Sequence, residues 1–282
     1  MSNPNELVLK RAPLTYQNVT INSRPPKDDE VVFVVIDTET TGLDPIKDEV
    51  IELGMVKFYY CTVTNKVTNV CGVFNQLKEP HKPLSEEVIR ITGLNNEDLN
   101  GKLISYDDVD DFIPYDCILV AHNASFDRSM VENHRFWNTD HYNYRWVCTK
   151  EDIDWSEYSS TKLEWLMFKH GYFYDAHRAS TDCLATLQLI MEKPEYLKQL
   201  YEAANNEIAR LYAKGLPFDK KDEAKAHGFK WDANQKVWYI DIQPHSFGVN
   251  EVYGFLDSLK PGLSRQAHCK HISARERYKL GY

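Results

Sequence analysis

Six consecutive apolar residues, Val31-Val32-Phe33-Val34-Val35-Ile36, run directly into Asp37-Thr38-Glu39. An unbroken, mostly β-branched run of this length is the pattern of a strand buried on both faces. Two carboxylates stand at its tip, two residues apart, and strand geometry points both to the same side. Paired carboxylates at a buried tip repel each other and resist desolvation. A divalent cation held by oxygen ligands is the simplest remedy.

Two further acidic clusters lie downstream. The short apolar run Ile118-Leu119-Val120-Ala121 leads into His122-Asn123-Ala124-Ser125-Phe126-Asp127. His177-Arg178-Ala179-Ser180-Thr181-Asp182 opens an apolar helix, Cys183 to Ile190. Taken singly, Asp37 reads as a loop cap, Asp182 as an acid on a first helical turn, and His177 as an exposed loop residue. Four carboxylates and a histidine, each at the edge of an apolar element, point to one converging site.

The order of elements supports a sheet to carry that site. Strands are predicted over 31–37, 50–60 and 67–77, the last two joined at Thr64-Asn65-Lys66. Ser85 caps a short helix that Gly93 stops. Helices over 107–113 and 123–135 flank a strand at 117–121. A short strand at Trp146–Thr149 and a helix from Thr161 to His170 follow. A meander followed by alternating strands and helices favours an α/β sheet of mixed direction. Residues 1–29, with four prolines, read as an irregular arm.

At these three clusters the chain resembles the DEDDh 3′-5′ exonucleases. That family includes the proofreading epsilon subunit of bacterial replicases, ribonuclease T and oligoribonuclease. Asp37-Thr38-Glu39-Thr40-Thr41-Gly42-Leu43, then His122-Asn123 with Phe126-Asp127, then His177 five residues before Asp182, match its motifs in order and spacing. The resemblance spans residues 30–193 and implies a ribonuclease H-like mixed sheet flanked by helices. It implies two Mg²⁺ or Mn²⁺ ions held by Asp37, Glu39, Asp127 and Asp182, with His177 as general base. Histidine there, rather than tyrosine, selects the branch. It also implies that Thr40, Thr41 and Leu43 cradle the 3′-terminal nucleotide and that Phe126 stacks on it. Thr92 stands where replicative epsilon subunits carry histidine, and is carried over as a substrate contact with Asn123. His122 is read as a local packing and hydrogen-bonding residue. The implied substrate is a single-stranded or frayed 3′ end of DNA, with a polymerase or repair assembly as partner. The alternatives are a 3′-end trimming exoribonuclease and a non-catalytic binding protein on the same fold.

The net charge of −9 argues against a broadly basic nucleic-acid binder, but it is unevenly spread. Residues 207–282 hold 13 Lys and Arg against nine Asp and Glu. Residues 194–213 are predicted as a connecting helix. Residues 214–245 form a small α+β module, with a short strand near Leu216-Phe218, a helix ended by Gly228, a turn at Asp232-Ala233-Asn234 and a final strand. Their pattern resembles a small module of uncharacterised function appended to DNA-processing proteins. Trp231, Trp238 and Tyr239 lie among lysines, a pattern that suits a single strand; the two tryptophans are read instead as core of a small domain, and the lysines as either a solvated face or nucleic-acid contacts. Residues 246–282 are read as an extension with a basic tail, dispensable for catalysis. Six scattered cysteines without a CxxC pair, and the absence of a signal or an 18-residue apolar run, lead to the expectation of a reduced cytoplasmic protein.

Overall fold

A computed structural model of the chain describes residues 9–15, 18–134, 136, 143–233, 235–242 and 248–279. The elements are, in chain order, β1 (Lys10–Arg11), β2 (Glu30–Thr40), β3 (Val50–Cys61), β4 (Lys66–Leu77), α1 (Glu86–Thr92), α2 (Asn96–Leu99), α3 (Tyr106–Phe112), β5 (Ile118–Ala121), α4 (Ala124–Asn133), β6 (Arg145–Cys148), α5 (Thr149–Asp152), α6 (Leu163–Lys169), β7 (Tyr172–Phe173), α7 (Ala179–Met191) and α8 (Pro194–Asn205). Beyond them lie β8 (Ile208–Ala213), α9 (Lys221–Ala226), β9 (Lys230–Asp232), β10 (Val237–Ile242), α10 (Val249–Leu259) and β11 (His268–Ile272).

The main sheet has the order β4-β3-β2-β5-β6. Strands β2, β3 and β4 are antiparallel, whereas β2, β5 and β6 are parallel. The expected mixed sheet flanked by helices is what forms. The apolar run of β2 is central because Phe33 to Ile36 are all fully buried. Its alternate residues feed two cores. Phe33 and Val35 pack with Cys183, Leu184 and Leu187 of α7. Val34 and Ile36 pack with Ala124, Met130 and Val131 of α4. Period-two alternation thus sends one helix to each face, and both reach the tip of β2.

The arm at the chain start is docked rather than loose over its described residues. Lys10 and Arg11 pair in parallel with Tyr172 and Phe173, and Ala12 is buried. Arg24 makes two bonds to the buried Glu30, at 2.6 and 2.7 Å. The first eight residues and Arg135, the end of the predicted 123–135 helix, lie outside the described residues, as does Asn234 of the predicted turn.

Three expectations for the C-terminal part are corrected. The connecting helix ends at Asn205, and Ile208–Ala213 is a strand. Leu216–Phe218 is not a strand; the chain enters a short 3-10 turn at Phe218–Lys220. Residues 248–279 of the extension are folded, supplying α10 and, to an antiparallel sheet of order β11-β8-β10-β9, the strand β11. That sheet packs Leu211 and Ile240 against Phe229, Val252 and Leu256.

The last turn of the chain locks the two sheets together. Trp146 on the outer strand β6 donates its N–H to the carbonyl of Ala274, covering that edge. Arg277 is 1 % exposed and donates to Asp152 Oδ1 at 2.8 Å. Asp152 also accepts from Cys148 N at 2.8 Å and from the Tyr278 hydroxyl at 2.9 Å. Fully buried Arg128 of α4 donates to the carbonyls of Arg277 and Arg275, at 2.6 and 2.9 Å. The segment expected to be a dispensable basic tail therefore holds the helix that carries Asp127. No described helix is long and apolar enough to cross a membrane.

Candidate active site

Asp37 and Glu39 project from the end of β2, where the register pairs Asp37 with Gly54 and Glu39 with Glu52. Gly54 is required by a close approach. A Cβ there would lie 2.3 Å from the carbonyl carbon of Ala179 at the start of α7. Its carbonyl lies 3.3 Å from Cys183 Sγ. This contact sets the first turn of α7, and with it Asp182, against the β2 tip. Glu52, fully buried, does not add an uncompensated charge. It accepts from Arg178 Nε at 3.0 Å and Nη2 at 2.9 Å, and from the Ala179 N–H at 3.2 Å.

Asp127 arrives from the other face of the sheet. Its Oδ1 accepts from the Thr38 N–H at 3.0 Å and the Thr38 hydroxyl at 2.9 Å. The residue between the two strand carboxylates thus fixes the third. His177 precedes α7 with φ 68°, in the left-handed region. Its N–H donates to Asp182 Oδ2 at 2.9 Å. The ligand atoms of Glu39, His177 and Asp182 lie within 4.8 Å of one another.

These residues line a cleft of about 430 Å³ with His122, Asn123, Phe126, Lys150, Lys162 and Tyr174. Its electrostatics follow from crowding. Burial pushes Asp37 well above the usual carboxylate range, and Asp127, Asp182 and Glu39 add to the rise. Burial, with the fields of Asp182 and Glu52, raises Glu39 to about 8. Burial raises Asp127 to about 7 against its two bonds from Thr38. Asp182 is raised by burial to about 6, opposed by hydrogen bonds from Tyr174 and the His177 N–H. Four carboxylates in one cleft cannot all ionise without a counter-charge, and a donor set of carboxylate oxygens fits hard divalent cations.

A pH dependence follows. Glu39 has a folded-state value raised from 4.5 to about 8. In chelator, its contribution to stability is therefore complete below pH 4.5 and is lost as pH rises through 8. The thermal midpoint of Glu39→Gln relative to wild type is expected to rise across that window, and Mg²⁺ should abolish the trend. Parallel melting curves of the two proteins from pH 4.5 to 8, with and without Mg²⁺, check this. A constant difference would show that Glu39 is not held protonated by its neighbours.

The other sequence-predicted residues separate into those in the cleft and those outside it. Asn123 is exposed in the cleft and makes no cap to α4. Phe126 is half-buried, with part of its ring against the core. Thr40, Thr41 and Leu43 are not among the described residues lining the cleft; they belong to the end of β2 and the turn after it. Thr40 donates its hydroxyl to the Gly42 carbonyl at 2.6 Å, and Thr41 bonds Asp48 at 3.1 Å. Leu43 is 83 % exposed, which removes core packing as its role. Thr92 is a correction. It is buried, its hydroxyl donates to the Val88 carbonyl at 2.9 Å and accepts from the Leu94 N–H at 3.1 Å, and it lies outside the cleft. Its polar capacity is spent on ending α1, so it does not serve as a substrate contact.

His122 holds the cleft wall. A carbonyl can only accept, so Nε2 donates to Thr161 O at 2.8 Å and Nδ1 accepts from the Thr149 hydroxyl at 2.7 Å. Burial lowers it to about 4, which keeps the ring neutral. Lys150, Lys162 and Tyr174 were not singled out from sequence. The available signal for Lys150 was its place just beyond β6, since ligands gather at the carboxyl ends of parallel strands.

Comparison with known proteins agrees with this geometry. Residues 34–190 match the RNase_T exonuclease family model, and residues 215–245 match a domain of unknown function. The latter supplies only α9, β9 and β10 of the four-stranded sheet. The PolC-type DNA polymerase III of Thermotoga maritima is 29% identical over 199 residues, covering 64% of this chain and 13% of that protein. The Bacillus subtilis PolC-type enzyme is 38% identical over 105 residues, covering 36% of this chain and 7% of that protein. The chain thus spans only a small part of the length of these relatives. Exonuclease I superposes with a TM-score of 0.50 and 14% identity, covering 87% of this chain and 64% of that one, a likeness of fold. With more than half of its residues matched to the exonuclease model and all three motifs gathered in one cleft, this chain belongs to the DEDDh 3′-5′ exonuclease family.

Proposed function

We propose that the protein hydrolyses DNA one nucleotide at a time from the 3′ end, releasing nucleoside 5′-monophosphates in a metal-dependent reaction. The observation that carries this reading is the meeting of Asp37, Glu39, Asp127 and Asp182 in one cleft with His177 beside two of them. These four carboxylates would hold the divalent cations, which supply positive charge next to the scissile phosphate.

The protein's own groups account for the remainder. His177 is exposed at the cleft, and its imidazole takes the proton of the attacking water. The water oxygen bonds to phosphorus as the bond to the 3′ oxygen breaks, and that oxygen takes a proton from solvent, leaving a 3′-hydroxyl on the shortened strand. Lys150 and Lys162 face the same cleft and bind phosphate oxygens of the strand. Neutral His122 holds the Thr149 and Thr161 backbone segments that carry them. Asn123, Phe126 and the turn from Thr40 to Leu43 receive the terminal nucleotide. The relatives are DNA polymerases by name, which favours DNA and a polymerase or repair assembly as the source of frayed 3′ ends.

His177→Ala is expected to lower kcat by ~10²–10⁴, the usual range for a general base, with metal affinity nearly unchanged. An unaltered kcat would remove His177 from the mechanism. Substrate class is tested with 5′-labelled single-stranded DNA, RNA and mismatched duplex in Mg²⁺ and in Mn²⁺. Faster shortening of both DNA substrates supports the reading, and exclusive action on RNA would replace it with an exoribonuclease.

A further inference from the structure

A second and larger cleft, of about 810 Å³, opens at one end of the C-terminal sheet. We propose that it is a binding site for single-stranded nucleic acid, separate from the catalytic cleft and independent of the reaction assigned above.

Its lining combines two kinds of side chain. Phe218, Trp231 and Trp238 supply flat rings, and Lys214, Lys236 and Lys270 supply positive charge. Trp231 and Trp238 face each other across β9 and β10, with ring centroids 5.4 Å apart. Two of the three rings stand outside the core of the module. Trp231 is 50 % exposed and Phe218 is 79 % exposed, while Trp238 packs partly against a core built from Leu211, Phe229, Ile240 and Leu256. Large aromatics left in water on a small domain lose the benefit of burial unless a ligand covers them.

The charge of the cleft identifies that ligand. The whole chain carries −9, yet no Asp or Glu is among the described residues lining this cleft. Lys221 Nζ lies 4.0 Å from the Phe218 ring centroid, adding positive charge beside that ring. Exposed rings between lysines suit bases that stack and phosphates that pair. A duplex offers its phosphates but keeps its bases stacked inside, so the rings select a single strand.

Lys230 of β9 bonds Glu151 of α5 at 2.7 Å, which ties the C-terminal sheet to the exonuclease domain.

The test uses the full-length chain carrying Asp37→Asn, so that the strand is not consumed. Fluorescein-labelled dT30, rU30 and a 30-base-pair duplex are titrated at several salt concentrations and followed by anisotropy. Trp231→Ala is expected to weaken binding of the single strands about 5- to 100-fold, the range of one lost base stack, and Trp231→Tyr should restore most of it. Replacing Lys214, Lys236 and Lys270 together by Gln should make the slope of log affinity against log salt shallower by about 2, near 0.7 per phosphate contact on a single strand. Lys214 and Lys236 are exposed and Lys270 is half-buried, so the second variant is informative even if Trp231→Ala fails to fold. Tighter binding of dT30 or of rU30 identifies the sugar, and either supports the site. Unchanged affinity and slope in the lysine variant, or equal losses for duplex and single strand, would overturn it.

Discussion

Asp37→Ala is expected to cut hydrolysis by roughly 10³-fold or more while leaving the protein folded. The charge stabilisation that metal ions contribute at such a centre is worth several kcal/mol, and each ~1.4 kcal/mol is tenfold in rate. Asp37 stands at the middle of the cluster, and its ionisation is opposed by burial and by Asp127, Asp182 and Glu39 in turn. Removing it relieves repulsion among the carboxylates that remain. The variant's thermal midpoint in chelator should therefore equal or exceed that of wild type, whereas in Mg²⁺ it should gain less than wild type does. Single-turnover rates on a 5′-labelled oligonucleotide, with melting curves in both conditions, separate the two effects. Turnover above a few per cent of wild type would show that Asp37 does not hold the catalytic ions.

Arg277→Ala is expected to destabilise the protein by ~3–5 kcal/mol, the usual cost of leaving one partner of a buried pair. Asp152 would keep its bonds from Cys148 and Tyr278 but lose its cation. The loss should spread to the active site. Arg128, next to Asp127 in α4, donates to the backbone carbonyl of residue 277, a bond that alanine keeps only while the segment stays docked. Activity should thus fall with stability, although Arg277 touches no cleft residue. Urea unfolding of Arg277→Ala, of Asp152→Asn with Arg277→Met, and of wild type checks this. The double variant should recover most of the loss, because it removes both charges together. A single variant as stable as wild type would mean that the C-terminal segment is merely laid against the catalytic domain.

This second expectation reverses what the sequence suggests, for a physical reason. Arg275, Arg277 and Lys279 in a short polar tail read as solvated charge. Arg277 pairs with Asp152 and Arg275 with the Asn143 carbonyl, 125 and 132 residues earlier. No local pattern carries that information. Ile208–Ala213 was misread for a related cause. Ile-Ala-Arg-Leu-Tyr-Ala continues the helical pattern of α8, and it is strand because β10 and β11 pair with it on either side. Non-local pairing overrode local propensity.

The catalytic half was far more legible. A run of β-branched residues can only be a central strand, and its period-two alternation placed Asp37 and Glu39 on one side. First-turn acids at Asp127 and Asp182 required only that each helix begin where its apolar pattern begins. Gly54 was the signal left unread. A lone glycine within the strand run of β3 marks a close backbone approach, here the start of α7. Thr92 was carried over by resemblance alone, and its hydroxyl is consumed within α1.

The most direct test follows the ends of the substrate. A 5′-labelled single strand, the same strand with a 3′-phosphate, and a covalently closed circle are incubated with the full-length protein in Mg²⁺ and in excess chelator. The expected result is a ladder shortened one nucleotide at a time from the free 3′-hydroxyl, with no action on the circle, a strong block by the 3′-phosphate, and no reaction in chelator. Cleavage of the circle, release of the label as a short 5′ product, or an undiminished rate in chelator would contradict a metal-dependent 3′-5′ exonuclease.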